Sequence, residues 1–481
     1  MNRKMVLSTI GKILILEAIL MLLPVITCII YSEFGPLVAF LKSIAIAILL
    51  GGGLVALNRT KHQVIYAKEG FAIVGLAWIM LSVIGCLPFV LSGEIPSFID
   101  AFFETVSGFT TTGASVVTNV EELSHGILFW RSFTHWVGGM GVLVFIMALI
   151  PKLSDRAIHI MRAEMPGPVV DKVLPRIKST AKTLYLIYVV LTAVLTLFLI
   201  AGGMPVFESI LHAFGTAGTG GFGVKSNSFA GYSPYLQWVT AIGMLCFGIN
   251  FNIYFLILIK KIKSVFKSQE LFVYLGIVLL SVASIALNIL PQYSNFNDAL
   301  RHAGFQVASV ISTTGYVTTD FNLWPTFSKV ILLTLMVIGG CAGSTAGGLK
   351  VSRVVLLFKN IIKEFKKLLH PHSVNIIKSD GKQLNTSVIH GVSAYFAIYF
   401  FCFVGLFILI SLDKYSIETN LSAVAACFNN IGPGLADVGP TSSYAGYSVF
   451  SKLLLSFAML LGRLEIFPLL IAVSPSVWFK K

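Results

Sequence analysis

The sequence predicts an all-α polytopic membrane protein of ten transmembrane helices. The last eight form four parallel span, pore-helix, span repeats around a pseudo-fourfold pore, and the first two form an N-terminal pair. Three observations carry this expectation. Of 481 residues, 56% are hydrophobic and only 12% charged, far from the composition of soluble globular chains. Apolar segments near 9–31, 36–57, 70–92, 126–150, 182–203, 233–259, 270–290, 327–358, 386–412 and 448–473 are each long enough to cross a bilayer; a hydrocarbon core of about 30 Å takes about 20 helical residues. Between the third and fourth, fifth and sixth, seventh and eighth, and ninth and tenth of these lie shorter apolar stretches of about ten residues, too short to cross.

The N-terminal pair occupies residues 1–65. It starts with Arg3 and Lys4, and the apolar run after them is longer than that of a signal peptide and lacks a small-x-small cleavage site, so it reads as a retained first span. The repeats follow at 66–175, 176–268, 269–380 and 381–481. Most of the 35 Lys and Arg fall in the termini and in the loops 59–68, 151–182, 260–268 and 350–385, which marks that side as cytoplasmic. An even number of spans puts both termini there. The net charge of +14 collects in these loops and does not point to nucleic acid. On the opposite side acidic residues outnumber basic ones, a modest attraction for cations, although Glu104, Glu208 and Glu418 read equally well as helix-start residues. The six cysteines stand singly among apolar neighbours and read as small buried hydrophobes.

Each short stretch ends in one pattern. It comprises Thr111, Thr112 and Gly113 in the first repeat, Thr219, Gly220 and Gly221 in the second, Thr313, Thr314 and Gly315 in the third, and Asn430, Ile431 and Gly432 in the fourth. The final glycines are 108, 94 and 117 residues apart, intervals long enough for one span, half-helix, span unit and its linker. All four units run in the same sense, so the inverted repeats common in alternating-access carriers do not fit. A half-helix must leave on the side it entered, and such backbone is tolerated at membrane depth only where it is buried in protein or lines a cavity. Four around one axis make a ring of carbonyls, which can replace the water around a monovalent cation. Glycine permits the positive φ that aims successive carbonyls at the axis, and the helix C-termini add partial negative charge there.

Two further features stand out. Gly339, Gly340, Gly343, Gly347 and Gly348, with Ser344 and Thr345, crowd the eighth segment. An interior glycine costs a helix about 1 kcal/mol relative to alanine, so either a break or close packing through small residues suits them. Arg463 falls within the last span, where an unpaired guanidinium costs at least about 2.5–3.5 kcal/mol. Glu465 is two residues on and points to a different helix face, so Arg463 is expected to face the interior or water. Glu17, in the first span, reads as a packing residue or a partner for a neighbouring helix.

The motifs FETVSGFTTTGAS (103–115), HAFGTAGTGGFG (212–223), SVISTTGYVTTD (309–320), NNIGPGLADVGP (429–440), GGCAGSTAGGLK (339–350) and LGRLEIFP (461–468) carry a resemblance. Over nearly its whole length the chain resembles the TrkH branch of the Trk/Ktr/HKT superfamily of potassium transport proteins, and the extra N-terminal pair favours that branch over shorter KtrB-like proteins. The resemblance implies potassium uptake across a bacterial inner membrane, with the carbonyls of Thr111, Thr112, Thr219, Gly220, Thr313, Thr314, Asn430 and Ile431 lining a selectivity filter. A glycine at all four filter positions is associated in the family with potassium over sodium. It implies that 339–350 is an intramembrane gating loop and Arg463 a positive barrier beneath the filter. It also implies a homodimer with a pore in each protomer, embedded in the lipid bilayer and regulated by a TrkA-like cytosolic subunit that binds NAD(H) and adenine nucleotides. This chain has neither a Walker A nor a Rossmann glycine motif, so no cofactor is expected on it, only the transported potassium. The basic inner loops also suit anionic lipid headgroups. An alternative is a secondary carrier coupling potassium to protons or sodium, which calls for ionisable residues along the path; an enzyme calls for catalytic constellations that the nine histidines do not form.

Overall fold

The computed structural model describes residues 2–58, 67–141, 177–372 and 376–474. Over these it is helical apart from one two-stranded hairpin. The chain opens with α1 (Arg3–Leu20), α2 (Leu22–Ile30) and α3 (Phe34–Leu57). Next are α4 (Ala67–Gly85), α5 (Leu87–Ser92), α6 (Phe98–Phe109) and α7 (His125–Gly139). They are followed by α8 (Ile177–Ala201), α9 (Val206–Gly218), α10 (Pro234–Phe247), α11 (Phe251–Leu258) and the short α12 (Ile262–Val265). Then come α13 (Gln269–Ile289), α14 (Phe296–Ile311), α15 (Thr326–Ile338) and α16 (Val351–Leu369), the strands β1 (Lys378–Ser379) and β2 (Lys382–Gln383), and finally α17 (Thr386–Ile410), α18 (Ile417–Phe428), α19 (Val449–Arg463) and α20 (Phe467–Val473).

Among the described residues six helical stretches are long and apolar enough to cross a membrane: Arg3–Ile30, Phe34–Leu57, Lys68–Ser92, Lys182–Ala201, Gln269–Gln292 and Thr386–Ile410. The chain is a multi-pass membrane protein. Three of the other four expected spans are interrupted among the described residues. Of 126–150, α7 accounts for the first part, and 142–150 lies outside the described residues, as do most of the basic loops expected at 59–68 and 151–182. The segment 233–259 is bent by 88° between α10 and α11, because Gly248 closes one helix and the Asn250 side chain caps the next by accepting from Asn252 N–H at 2.9 Å. Between α15 and α16, residues 339–350 are non-helical. The last segment breaks at 464–466, where Pro468 cannot continue a helix. Arg463 is thus the last residue of α19, at a break, and not midway along an unbroken span.

One cluster of buried side chains joins α1–α3 to α4–α7 and α17–α20, a second centres on α13–α15, and a third on α8–α11 with part of α14. In the first cluster α1 and α3 cross where Gly11 and Gly51 meet backbone to backbone; a Cβ on Gly11 would stand 2.6 Å from the Gly51 carbonyl oxygen. Such small-residue contacts let membrane helices approach closely. Glu17 is buried beside Gly85, and neither carboxylate oxygen has a hydrogen-bond partner among the described residues. The hairpin turns on Asp380 and Gly381, both at positive φ, as a two-residue hairpin turn requires.

Candidate functional site

The short helices α6, α9, α14 and α18 each end in the same backbone motif. Thr111, Thr219, Thr313 and Asn430 follow their helices at φ of 56°, 57°, 56° and 57°. The next residue's N–H returns to a carbonyl five residues back: Thr112 to Ser107 at 2.9 Å, Gly220 to Gly215 at 2.8 Å, Thr314 to Ser309 at 2.8 Å, and Ile431 to Ala426 at 2.9 Å. With the bonds from Thr111 to Gly108 and its three counterparts, each is a Schellman cap, the usual left-handed stop of a helix. Glycine normally occupies the left-handed position. A threonine there is strained, and such strain gathers at functional sites. Asn430, the departure from the pattern, belongs to the type that takes this conformation with least cost, so the fourth unit keeps the same backbone.

Beyond the caps the four strands close into a ring. A Cβ on Gly113 would strike the carbonyl oxygen of Gly220, one on Gly221 that of Thr314, and one on Gly315 that of Ile431; one on Gly432 would stand 2.8 Å from the carbonyl oxygen of Thr112. These glycines have φ of 80°, 77°, 87° and 95°. Each strand therefore packs its glycine against the next strand's carbonyl, in the order first, second, third, fourth and back to first. Above the ring lies an open vestibule of about 320 Å³, lined by all four glycines and by Arg131. Below it the free space shrinks to about 50 Å³, lined by Gly347, Gly348, Lys350, Arg463 and Glu465 among others.

Residues 339–350 fill that lower position. Gly339, Gly343 and Gly348 have positive φ, and Gly339 packs on Gly348, while Gly340 packs on Ala346 and the Gly248 carbonyl. The break between α10 and α11 holds the segment: Cys341 N–H donates to Gly248 O and Phe251 N–H to Gly343 O, both at 3.0 Å. Thr345 Oγ1 donates to Phe247 O at 3.1 Å, and Ser344 Oγ closes a local turn on Cys341 O at 2.6 Å. Glu270, at the start of α13, accepts from Ala342 N–H at 2.6 Å and Ser352 N–H at 3.1 Å. The tip touches the ring itself, since Gly347 N–H donates to Thr313 Oγ1 at 2.6 Å and the Gly347 Cα abuts the Asn429 carbonyl.

Arg463 reaches the same place from the break in the last segment. Its Nη1 donates to Thr345 O at 2.7 Å, and its Nη2 to Gly138 O and Gly139 O, both at 2.5 Å. Glu465 is paired elsewhere, with Arg353 of α16. One guanidinium thus spans the segment below the ring and the end of α7.

Sequence reasoning missed several residues that shape this site. Glu104 forms a buried ion pair with Arg131 at 2.6 Å, although it reads in sequence as a possible helix-start residue. Glu208 pairs with Lys225 at 3.4 Å and Glu418 with Lys329 at 3.1 Å, so these carboxylates are largely neutralised locally. His135 bridges two units: its Nδ1 stands 2.8 Å from Gly108 O and its Nε2 accepts from Phe222 N–H. Asn430 Nδ2 donates to Thr112 Oγ1 and to Met459 O, both at 2.9 Å. The only sequence signal for the acidic member of the buried pair was its place six residues before the first Thr-Thr-Thr-Gly run.

The chain as a whole has known counterparts. The family described as "TrkH: Cation transport protein" matches residues 36–480. The "Trk system potassium uptake protein TrkH" of Salmonella typhimurium is 38% identical, over 99% of this chain and 100% of its own length. The protein of the same name in Escherichia coli is 37% identical over the same shares. The "Crystal Structure of the Potassium Transporter TrkH from Vibrio parahaemolyticus" superposes with a TM-score of 0.88 at 34% identity, covering all of both chains. With a family match across most of the sequence and relatives alike from end to end, the chain belongs to the TrkH family, a family of cation transport proteins and not of enzymes.

Proposed function

We propose that this chain is a potassium uptake pore in which the ring of four strands is the selectivity filter. The observation that carries this reading is the closed ring of glycine-to-carbonyl contacts, each strand set by the same left-handed cap. Such a ring presents backbone oxygens of Thr111, Thr112, Thr219, Gly220, Thr313, Thr314, Asn430 and Ile431 to one axis. Those oxygens replace the hydration shell of potassium, the ion named in the relatives' descriptions. On this reading the broken segments count as spans, giving ten around a pseudo-fourfold pore as an N-terminal pair and four parallel repeats (66–175, 176–268, 269–380, 381–481). Both termini are cytoplasmic, and the membrane is a bacterial inner membrane whose potential pulls each cation inward by about 2.3 kcal/mol per 100 mV.

In the same proposal residues 339–350 are the gate. Gly347 sits against the inner end of the filter, and Arg463 places a positive charge where a cation must leave. Opening withdraws both. The signal comes from a TrkA-like cytosolic subunit that binds NAD(H) and adenine nucleotides, acting on the basic inner face of a homodimer.

The test is cation flux into liposomes holding the purified protein, under a potassium and then a sodium gradient, for wild type and Arg463→Ala. The expected result is potassium-selective flux that needs no second ion gradient and rises by about tenfold in Arg463→Ala, as for a lost barrier of about 1.4 kcal/mol. Potassium movement only in the presence of a proton or sodium gradient, abolished by Arg463→Ala, replaces this reading with a coupled carrier.

A further inference from the structure

The buried ion pair of Glu104 and Arg131 lies outside the ring, yet it holds two of the ring's four strands. Arg131 Nε donates to Glu104 Oε1 at 2.6 Å, and the two side chains are 3% and 0% exposed. The other oxygens and nitrogens of the pair are spent on backbone just past the filter. Glu104 Oε2 accepts from Val116 N–H at 3.0 Å, and Glu104 Oε1 also accepts from the Ser115 hydroxyl at 2.9 Å. Arg131 Nη2 donates to Ser115 Oγ at 3.1 Å and Nη1 to Gly223 O at 3.2 Å, while the guanidinium lies 3.6 Å over the Phe222 ring. Thus the first strand is gripped two and three residues after Gly113, and the second one and two residues after Gly221. Ser115 passes the constraint on, because its carbonyl accepts from Tyr444 N–H, and the Tyr444 hydroxyl donates to Gly432 O.

We infer that Glu104 and Arg131 are positioning residues that set ion selectivity, and that Glu104 keeps the vestibule permissive to cations by neutralising Arg131. This inference rests on the filter reading above. Arg131 lines the vestibule directly over the ring, where an unbalanced guanidinium repels an arriving cation, and the field is poorly screened because the pair is shut from water. Arg131 also supplies a planar fork that reaches a carboxylate, a hydroxyl and a carbonyl together, which lysine cannot do. The pair therefore has two separable effects: its net charge governs how fast cations enter, and its hydrogen bonds govern the strand spacing that distinguishes one cation from another.

Three variants separate them, measured as potassium and sodium flux into liposomes against the wild type. Glu104→Gln leaves the guanidinium uncompensated and is expected to lower potassium flux by about tenfold or more. In Glu104→Gln/Arg131→Gln the stray charge is gone, so most of that flux returns, but the potassium-to-sodium ratio falls. Arg131→Lys keeps the charge balance and loses the fork; it is expected to lose selectivity with a smaller loss of flux than Glu104→Gln. A double variant no faster than Glu104→Gln overturns the electrostatic role. A potassium-to-sodium ratio equal to the wild type's in both the double variant and Arg131→Lys overturns the positioning role. Where Glu104→Gln does not fold, the ratio in Arg131→Lys decides the positioning role and Arg131→Gln decides the charge: with the carboxylate left unbalanced, potassium flux is expected to be at least that of the double variant, and a lower flux overturns the electrostatic role. A wild type that passes no potassium sinks the filter reading itself, and this one with it.

Discussion

Gly347 N–H donates to the hydroxyl of Thr313 at 2.6 Å, joining the glycine-rich segment to the third strand of the ring and to no other threonine of the ring. The four positions two residues before the ring glycines are otherwise different. Thr219 Oγ1 turns to Gly218 O, Thr111 Oγ1 has no partner among the described residues, and Asn430 donates to Thr112 and Met459.

That asymmetry makes Thr313→Val informative. Valine keeps the shape and removes the acceptor, so a buried N–H loses its partner at a cost of about 1–3 kcal/mol, which under the proposed gate falls wholly on the closed position of Gly347. Basal potassium flux through liposome-reconstituted protein should rise by about tenfold. Thr111→Val removes a hydroxyl from the same ring without touching 339–350 and should not raise flux. Equal rises in both variants show that the hydroxyls act on the filter and not on the segment beneath it.

Gly221→Ala should abolish potassium flux. Its Cβ falls on the Thr314 carbonyl oxygen, and its φ of 77° is unfavourable for alanine, a conformational cost of about 1–3 kcal/mol before the collision is counted. Gly223→Ala is the comparison: the nearest atom to its Cβ is 3.5 Å away, an ordinary contact. Retained flux in Gly221→Ala would refute the ring as the conduction path.

Glu33, between α2 and α3, anchors that turn to the start of α7. It accepts from the N–H groups of His125 and Gly126 at 2.8 and 3.0 Å, and from the His125 imidazole at 2.8 Å, at the N-terminus of α7 where a carboxylate is favoured. Partial burial works against its charge, but the Gly126 and His125 donors outweigh that and hold its pKa below the usual carboxylate value. Because the folded value is the lower one, the stabilisation is complete above the unfolded value of roughly 4.3 and fades as pH falls through the folded one. Glu33→Gln should lower stability by about 1–3 kcal/mol at pH 7, seen as a lower thermal midpoint in detergent. The gap between variant and wild type should narrow below pH 4; a gap that stays constant down to pH 3 would show that the carboxylate charge is not the source.

Much of this was legible because membrane folding leaves few solutions. A ten-residue apolar stretch cannot cross, so the segments before Gly113, Gly221, Gly315 and Gly432 announced themselves by length. The glycines of 339–350 signalled that a straight helix there was costly, though residues alone left close packing equally open. Less visible were features that depend on a partner distant in sequence. Gly248 and Asn250 mark a helix stop and a helix start at 248–250, but the bonds to Cys341 and Gly343 that accompany the 88° turn come from far along the chain. Glu104 and Arg131 are 27 residues apart on different helices, and a single sequence does not reveal such a pairing. Arg463 looked embedded in a continuous apolar run because Pro468, which accompanies the helix break at 464–466, is itself apolar and does not interrupt the run.

Since one polypeptide supplies all four sides of the ring, a change in any side is made once. In an assembly of four identical chains the same substitution would alter every side together, and no position could be specialised without disturbing its three copies. Here the third side alone is free to grip Gly347 and the fourth alone to carry an amide, while the first and second brace each other through His135. The ring has a division of labour that sequence change can refine one wall at a time.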